Sequence, residues 1–79
     1  MEKNPILVAF GARVRTCREA GRVSQEELAE RTGFHRTYIS SLERGLRNPA
    51  LINILKIADG LSVEACDLVT HLSLPGGER

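Results

Sequence analysis

The stretch SQEELAERTGFHRTYISSLERG, residues 24–45, decides the fold of this chain. It opens with Ser24 and has Glu27 three residues later, which is the Ser-x-x-Glu capping box that starts a helix. Gly33 interrupts the pattern, because glycine takes the left-handed conformation that ends helices. A second helical segment follows and stops at Gly45. Two helices joined by so short a turn must cross at a large angle, which is the helix-turn-helix arrangement.

A first helix is predicted before this motif. Asn4 and Pro5 suit its cap and its first position, and Gly21 ends it after about Ala20. Apolar residues recur at spacings of three and four, as expected for the buried face of a helix. In the first three helices these residues are Leu7, Phe10, Val14 and Cys17, then Leu28 and Ala29, then Ile39 and Leu42.

Two more helices are predicted after the motif. Pro49 suits the first position of a fourth helix that ends near Gly60, and a fifth helix spans roughly residues 63–72. Ile52 and Ile57 are predicted to lie off the centre of the buried face of the fourth helix. The predicted buried faces are Leu51, Ile54, Leu55 and Ala58 in the fourth helix, and Ala65, Val69 and Leu72, with Leu68 beside them, in the fifth.

The chain has 79 residues and no strand pattern of period two, which predicts one compact five-helix, all-α domain at residues 1–73 and a flexible tail at residues 74–79. Its net charge is +1, but residues 1–49 hold nine Lys and Arg against six Asp and Glu, whereas residues 50–79 hold two against four. The basic side therefore coincides with the helix-turn-helix, as expected for a protein that binds a polyanion. The sequence has no leader and no apolar run of membrane-spanning length, so we expect a cytoplasmic protein without membrane contact.

Catalytic and metal-binding groups do not converge in this sequence. His35 and His71 are far apart and lack a partner at metal-ligand spacing, and the two cysteines resemble small buried apolar residues. Glu26, Glu27 and Glu30 share one helix, where a capping box and a solvated face explain them. We therefore expect no enzymatic activity, no metal and no cofactor.

The outer face of the second motif helix has the side chains that DNA recognition requires. They are Arg36, Thr37, Ser40, Ser41 and Arg44. Arg36 and Thr37 lie in the first turn, the part of a recognition helix that reaches base edges. Arginine can donate two hydrogen bonds to guanine O6 and N7. Gln25 opens the preceding helix and can bond a phosphate. The alternative is that Arg36 is an ordinary arginine on a solvated helix.

Residues 24–63 resemble the phage-repressor-like (Xre-type) helix-turn-helix family, and the resemblance extends back to Phe10. The matching motifs are Ser-Gln, Leu-Ala followed by Gly, Tyr-Ile-Ser with Leu-Glu-Arg-Gly, and Arg-Asn-Pro. RTYISSLERG in a chain of this length is also similar to the controller proteins of restriction–modification systems, which are small dimeric regulators of their own and the endonuclease promoters. The resemblance implies a lambda-repressor-like fold and a transcriptional regulator that binds a double-stranded DNA operator through its third helix.

The resemblance also implies roles for matched positions. Base contacts are expected from Arg36, Thr37 and Ser41, and DNA backbone contacts from Gln25, Tyr38, Ser40, Arg44, Arg47, Asn48 and Arg18. Arg18 and Glu43 match a charged pair that ties the first helix to the recognition helix, while Ala29 and Gly33 match small residues that let two helices approach. The chain departs from the family at Arg22, where glycine is usual, at His35, a poorer cap than Ser, Asp or Thr, and at Ala50, where a serine cap is usual. We expect Asn48 and Pro49 to start the fourth helix in its place, and Arg22 can add a phosphate contact.

A homodimer is a further implication, because two modules can contact half-sites one DNA turn, about 34 Å, apart. The candidate interface consists of Ile52, Leu61, Val63, Leu68 and Leu72; the alternative is that all five are intramolecular. No sensor domain is evident, so no small-molecule ligand is expected. A phage or chromosomal Xre-type repressor, a toxin–antitoxin antitoxin, and a protein-interaction module without DNA remain alternative functions.

Overall fold

A computed structural model describes residues 4–74 as five α-helices, with no strand in that span. The helices are α1 (Pro5–Ala20), α2 (Gln25–Thr32), α3 (Arg36–Glu43), α4 (Leu51–Leu61) and α5 (Ala65–Val69). The predicted all-α, five-helix class is confirmed. Apart from Leu74, the predicted tail lies outside the described residues. Within residues 4–74, no helix combines the length and apolarity needed to span a bilayer.

Local sequence signals determine where the first two helices begin and where α2 ends. The Asn4 side chain accepts a hydrogen bond from the Ile6 N–H at 2.8 Å. Both halves of the predicted capping box between Ser24 and Glu27 are present. Gly33 has a φ of 82° and ends α2. These three predictions are confirmed, and each depends on residues within one helical turn.

The end of α1 shows the backbone position at which Arg22 departs from the family pattern. Arg22 has a φ of 59°, and its N–H donates to the Glu19 carbonyl at 3.0 Å. The Val23 N–H donates to the Arg18 carbonyl at 3.0 Å, which completes a Schellman motif. Gly21 has a φ of −86°, which any residue can adopt. Arg22 therefore occupies the left-handed position that glycine usually takes.

One core joins the five helices. The apolar faces predicted for α1, α2 and α3 are confirmed, although Leu7 and Cys17 are only half-buried. The buried apolar residues of the core are Phe10, Val14, Val23, Leu28, Ala29, Ile39, Leu42, Ile57, Ala58, Leu61 and Leu68.

The buried face predicted for α4 is right for Ile54 and Ala58 and wrong for Leu51 and Leu55. Leu51 and Leu55 are 69% and 45% exposed, whereas Ile57 is completely buried. The face that packs on the core consists of Ile54, Ile57, Ala58 and Leu61. Both sets have the spacing i, i+3, i+4, i+7, because α4 carries apolar residues around most of its circumference. Periodicity alone could not select between them.

The start of α4 also differs from the prediction. Ala50 has extended backbone dihedrals, φ −66° and ψ 158°, and its carbonyl accepts from the Ile54 N–H at 3.1 Å. Ala50 is thus the N-cap, without a side-chain hydrogen bond, and Leu51 is the first helical residue. Pro49 lies two positions before the helix and does not start it.

Helix α5 is shorter than the predicted span of residues 63–72. The Arg13 guanidinium donates to the carbonyls of Asp67 at 2.7 Å and Thr70 at 3.1 Å, which satisfies acceptors at the end of the helix. Thr70 leaves the helix with extended backbone dihedrals. Val69, predicted to face inward, is 41% exposed, while Leu68 is the completely buried residue of α5.

Helix α1 crosses the C-terminal end of α3 with the two backbones in close contact. A Cβ atom at Gly11 would lie 2.7 Å from the Glu43 carbonyl oxygen and closer still to that of Leu42. Gly45 has a φ of 79° and ends α3, as predicted. Gly33, by contrast, has open space beside it, so its role is to provide a positive φ and not to let helices approach. The absence of a side chain at Gly11 therefore lets α1 and the end of α3 lie this close together.

Candidate nucleic-acid interface

The first turn of α3 faces solvent. Arg36 and Thr37 are both exposed, which is the placement that base contact requires. His35 is the N-cap residue, and its side chain makes no capping hydrogen bond, as the sequence predicts for histidine. The exposed side chains at this end of α3 are therefore free of the core and available to a ligand.

Ser41 is not part of this exposed face. It is 8% exposed, its hydroxyl donates to the Tyr38 carbonyl at 3.1 Å, and the same oxygen accepts from Arg47 Nε at 3.2 Å. The prediction that Ser41 points outward is wrong, and the base contact expected of it stays a prediction that its burial does not support. The reason is tertiary, because the segment that follows α3 folds back and places Arg47 over Ser41.

A buried ion pair between Arg18 and Glu43 fixes α3 from behind. Arg18 Nε lies 2.6 Å from Glu43 Oε2, and Arg18 Nη2 lies 3.0 Å from Oε1. A third contact runs from Arg18 Nη1 to the Val23 carbonyl at 2.9 Å. The hydrogen bond that Arg18 donates to Glu43, followed by the negative charge of Glu43, raises the pKa of Arg18. This buried pair links α1, the turn before α2 and the end of α3, as the resemblance implies.

Gln25 belongs to the same network. Its Nε2 donates to Glu43 Oε1 at 3.0 Å, which orients the amide and occupies one of its two N–H groups. The second N–H remains available at the N-terminus of α2, where phosphate binding is expected. Arg18 has only 11% of its side chain exposed, and three of its five donor positions are occupied. Its position supports the structural role more than a phosphate contact.

The other predicted DNA backbone contacts surround the C-terminal half of α3. Asn53 Nδ2 donates to the Tyr38 hydroxyl oxygen at 3.3 Å, which leaves the Tyr38 O–H available to donate. The Arg47 guanidinium lies 5.8 Å from the centre of the Tyr38 ring, a cation–π contact. Arg44, Arg47 and Asn48 are exposed, and Ser40 and Tyr38 are half-buried. Of these contacts, Tyr38 and Arg47 are therefore next to each other in the structure.

A second, exposed ion pair joins α2 and α3 in front of the motif. Arg36 Nε lies 2.9 Å from Glu26 Oε2, and the two side chains are 54% and 66% exposed. The pKa of Glu26 is lowered, first because its carboxylate accepts a hydrogen bond from the backbone N–H of Glu26 itself, and then because of the positive charge of Arg36. The sequence did not predict this pair. The available signal was a pair of opposite charges in the first turns of two crossing helices.

The proposed dimer interface loses two of its five residues. Leu61 and Leu68 are 8% and 0% exposed in the single chain, so they belong to the core and cannot pack against a partner. Val63 and Leu72 are half-buried against the same core, and Ile52 is 60% exposed. The exposed apolar residues that the structure adds are Val8, Leu46, Leu51, Leu55, Val69 and Leu74.

The helix-turn-helix family profile matches residues 14–68, which include the whole α2–α3 unit and the buried ion pair. The chain belongs to the helix-turn-helix (Xre-type) family. The resemblance proposed from the sequence is therefore confirmed. Among the described residues, no group of three or more His, Cys, Asp or Glu side chains is placed to hold a metal ion.

Relatives of this family member include several regulators. It is 43% identical over 77 residues to the control protein C.BamHI of Bacillus amyloliquefaciens, covering 96% of this chain and 95% of that protein. The fold is similar to the restriction–modification controller protein C.AhdI from Aeromonas hydrophila, with a TM-score of 0.77, 48% identity, and coverage of 78% and 94%. It is also similar to the controller protein C.Esp1396I, solved as a tetramer with its natural 35 base-pair operator, with a TM-score of 0.80, 28% identity, and coverage of 89% and 92%.

Proposed function

We propose that this protein is a sequence-specific, DNA-binding transcriptional regulator of the controller-protein type, which inserts α3 in the major groove of an operator. The observation that carries the proposal is the exposed first turn of α3, with Arg36 and Thr37 outward, on a helix fixed from behind by a buried ion pair. The similarity to C.BamHI and C.AhdI supports the controller type.

Each side of α3 has a distinct role in this proposal. Arg36 donates to guanine, and Thr37 offers a hydroxyl and a methyl group to a neighbouring base. Gln25 and the basic residues after α3, Arg44 and Arg47, contact phosphates and set the orientation of the helix. The charge asymmetry of the chain supports this division, since the basic half contains the motif.

The regulator is proposed to bind as a homodimer, because one module makes too few contacts for tight, specific binding. Ile52 and its exposed neighbours Leu51 and Leu55 on α4 are the apolar residues best placed for a second copy. Sedimentation equilibrium of Ile52→Glu tests this: the variant is expected to be monomeric and folded. A wild-type dimer that Ile52→Glu leaves intact would move the interface elsewhere.

Selection from a random duplex library tests DNA binding and identifies the preferred half-site. Binding through about five phosphates or more per dimer predicts a slope of log K against log salt near −4.5 or steeper. If duplex DNA gives no binding at about 50 mM salt, where phosphate contacts are strong, a protein-interaction module becomes the better interpretation.

Single variants then separate base contacts from phosphate contacts. Arg36→Ala should cost about 1–3 kcal/mol of binding free energy and relax preference at one base pair per half-site. The matched control is Arg15→Ala, a similarly exposed arginine of the Arg15–Glu19 pair on α1, which should leave the preference unchanged. Gln25→Ala should weaken binding to all sequences alike. Unaltered base preference in Arg36→Ala would remove Arg36 as a base contact.

The restriction–modification assignment has a separate test. Neighbouring methyltransferase and endonuclease genes, and a promoter upstream of them that the purified protein binds, are the expected result. Phage genes or a toxin gene in that place would support the repressor or antitoxin alternative, with the same DNA-binding chemistry.

A further inference from the structure

The exposed ion pair between Glu26 and Arg36 lies at the point where the proposed base contact is made. Glu26 belongs to the first turn of α2, and Arg36 is the first residue of α3, so the pair bridges the two helices across their common surface. Both side chains are more than half exposed, and such a pair contributes little to folding. Its position therefore points to a role in binding.

The geometry of the contact leaves the guanidinium able to bind a base. The Glu26 carboxylate lies 2.9 Å from Nε of Arg36. The two Nη groups of Arg36, which carry four N–H bonds, make no other ion pair within residues 4–74. Guanine O6 and N7 accept two N–H groups at once. Arg36 can thus bind the Glu26 carboxylate through Nε and a guanine through its Nη groups at the same time. Before DNA binds, the carboxylate restricts the rotation of the Arg36 side chain.

We propose that Glu26 is a positioning residue that determines base specificity by acting through Arg36. This inference depends on the proposed function, in which Arg36 contacts a base. Glu26 holds the guanidinium in the orientation for base readout, so that less side-chain entropy is lost on binding. Its negative charge near the phosphates also weakens binding to DNA of any sequence. Only the first effect raises the ratio of specific to non-specific affinity, since the second lowers both affinities alike.

The neighbouring carboxylates of α2 do not share this position. Glu27 is held by the capping box with Ser24. Glu30 is exposed and makes no ion pair or side-chain hydrogen bond with any residue that the structure describes. Glu30 therefore provides a matched control, since Glu30→Gln removes the same charge from the same helix.

The test compares Glu26→Gln with Glu30→Gln on three duplexes: the selected operator, the operator with the base pair contacted by Arg36 replaced, and a scrambled duplex. Glu26→Gln is expected to reduce the affinity ratio of the first to the second duplex about threefold to tenfold, a part of what one bidentate arginine–guanine contact provides. Glu30→Gln is expected to strengthen binding to all three alike. In an Arg36→Ala background, Glu26→Gln should leave the ratio unchanged.

The outcomes distinguish this inference from the proposed function. If Arg36→Ala itself leaves the ratio at the wild-type value, Arg36 is not a base contact and the function assigned to it fails. If Arg36→Ala abolishes the ratio but Glu26→Gln retains it, only the role of Glu26 is overturned. A loss of ratio by Glu26→Gln that persists in the Arg36→Ala background would also overturn it. The melting temperature of Glu26→Gln should stay close to that of the wild type, which excludes a purely structural cause.

Discussion

The two Arg–Glu pairs that hold α3 are chemically alike and physically different. Arg18 and Glu43, at the back, have 11% and 3% of their side chains exposed and share two short contacts. Arg36 and Glu26, at the front, are 54% and 66% exposed and share one. The back pair lies between α1 and the end of α3, and the front pair lies at the surface proposed for DNA.

Burial determines what each pair can do. A buried charge whose partner is removed stays desolvated and uncompensated, so the fold depends on both members. An exposed charge recovers water when its partner leaves, so such pairs are worth little to stability. The same two residue types therefore fix the helix at one site and remain available to a ligand at the other.

Removing the buried partner should have the largest effect. Glu43→Ala leaves Arg18 without its carboxylate and is expected to lower the free energy of unfolding by about 3–5 kcal/mol. Because a domain of this size has a total stability of about 4–12 kcal/mol, urea unfolding is best followed at low temperature. The matched control is Glu19→Ala, which breaks the exposed Arg15–Glu19 pair and should cost under about 0.5 kcal/mol. Equal losses in the two variants would contradict the comparison.

The backbone contact beside the buried pair gives the next prediction. Gly11→Ala is expected to cost about 2–3 kcal/mol of unfolding free energy, because its Cβ meets backbone carbonyls that cannot move aside alone. Gly21→Ala is the control, since its Cβ would find ordinary contacts from 3.5 Å and its φ is −86°. That variant should be neutral or stabilising by up to about 1 kcal/mol. A stable Gly11→Ala protein would show that α1 and α3 can separate without losing the buried pair.

The strained turn next to Arg18 offers a way to strengthen the back of the motif. Arg22→Gly is expected to stabilise the fold by about 0.5–1 kcal/mol, because glycine adopts the positive φ of this position without steric cost. This gain exceeds the extra backbone entropy that glycine loses on folding. For a domain of this size the melting temperature should rise by about 2–8 °C. If Arg22 contacts a phosphate, the slope of log K against log salt will also become shallower by about two, one for each protomer of the proposed dimer. A lower melting temperature of Arg22→Gly would show that the positive φ of Arg22 does not destabilise the fold.

The exposed pair of Glu26 and Arg36 should have the smallest effect on the free energy of unfolding. The pH dependence of that effect shows whether the pair stabilises the fold. The pKa of Glu26 is lowered in the folded protein, so its contribution to stability is present above the unfolded-state pKa and is lost as the pH falls through the folded-state pKa. Urea midpoints of Glu26→Gln should therefore equal those of the wild type at acid pH and fall only slightly below them near neutrality. A large loss at neutral pH would make the front pair structural.

Predictability from sequence follows the range of the interaction. The start of α2 depends on Ser24 and Glu27 and was predicted correctly. The orientation of α4 was not, because its apolar residues surround the helix and the choice of Ile57 over Leu55 depends on where the other helices lie. The same reason applies to Ser41, which is covered by Arg47 from the following segment.

Much of the candidate site was accessible from sequence by motif, including Arg36, Thr37 and Gln25 on the motif helices and the Arg18–Glu43 pair by resemblance. The sequence did not predict that the Gln25 amide bonds Glu43, nor that Glu26 holds Arg36. Neither contact follows a helical spacing. Both arise because α2 and α3 cross, and a crossing angle is not encoded in either helix alone.

The sequence by itself determined the helix boundaries of the motif, the family and the exposed first turn of α3, because capping and left-handed glycines act within a few residues. Only the tertiary structure decided which faces of α4 and α5 are buried, that Ser41 is covered, and which carboxylate meets which arginine. Those outcomes depend on contacts between segments that are distant in sequence. Several residues of the same type could make each contact, and the packing of the helices decides which one does.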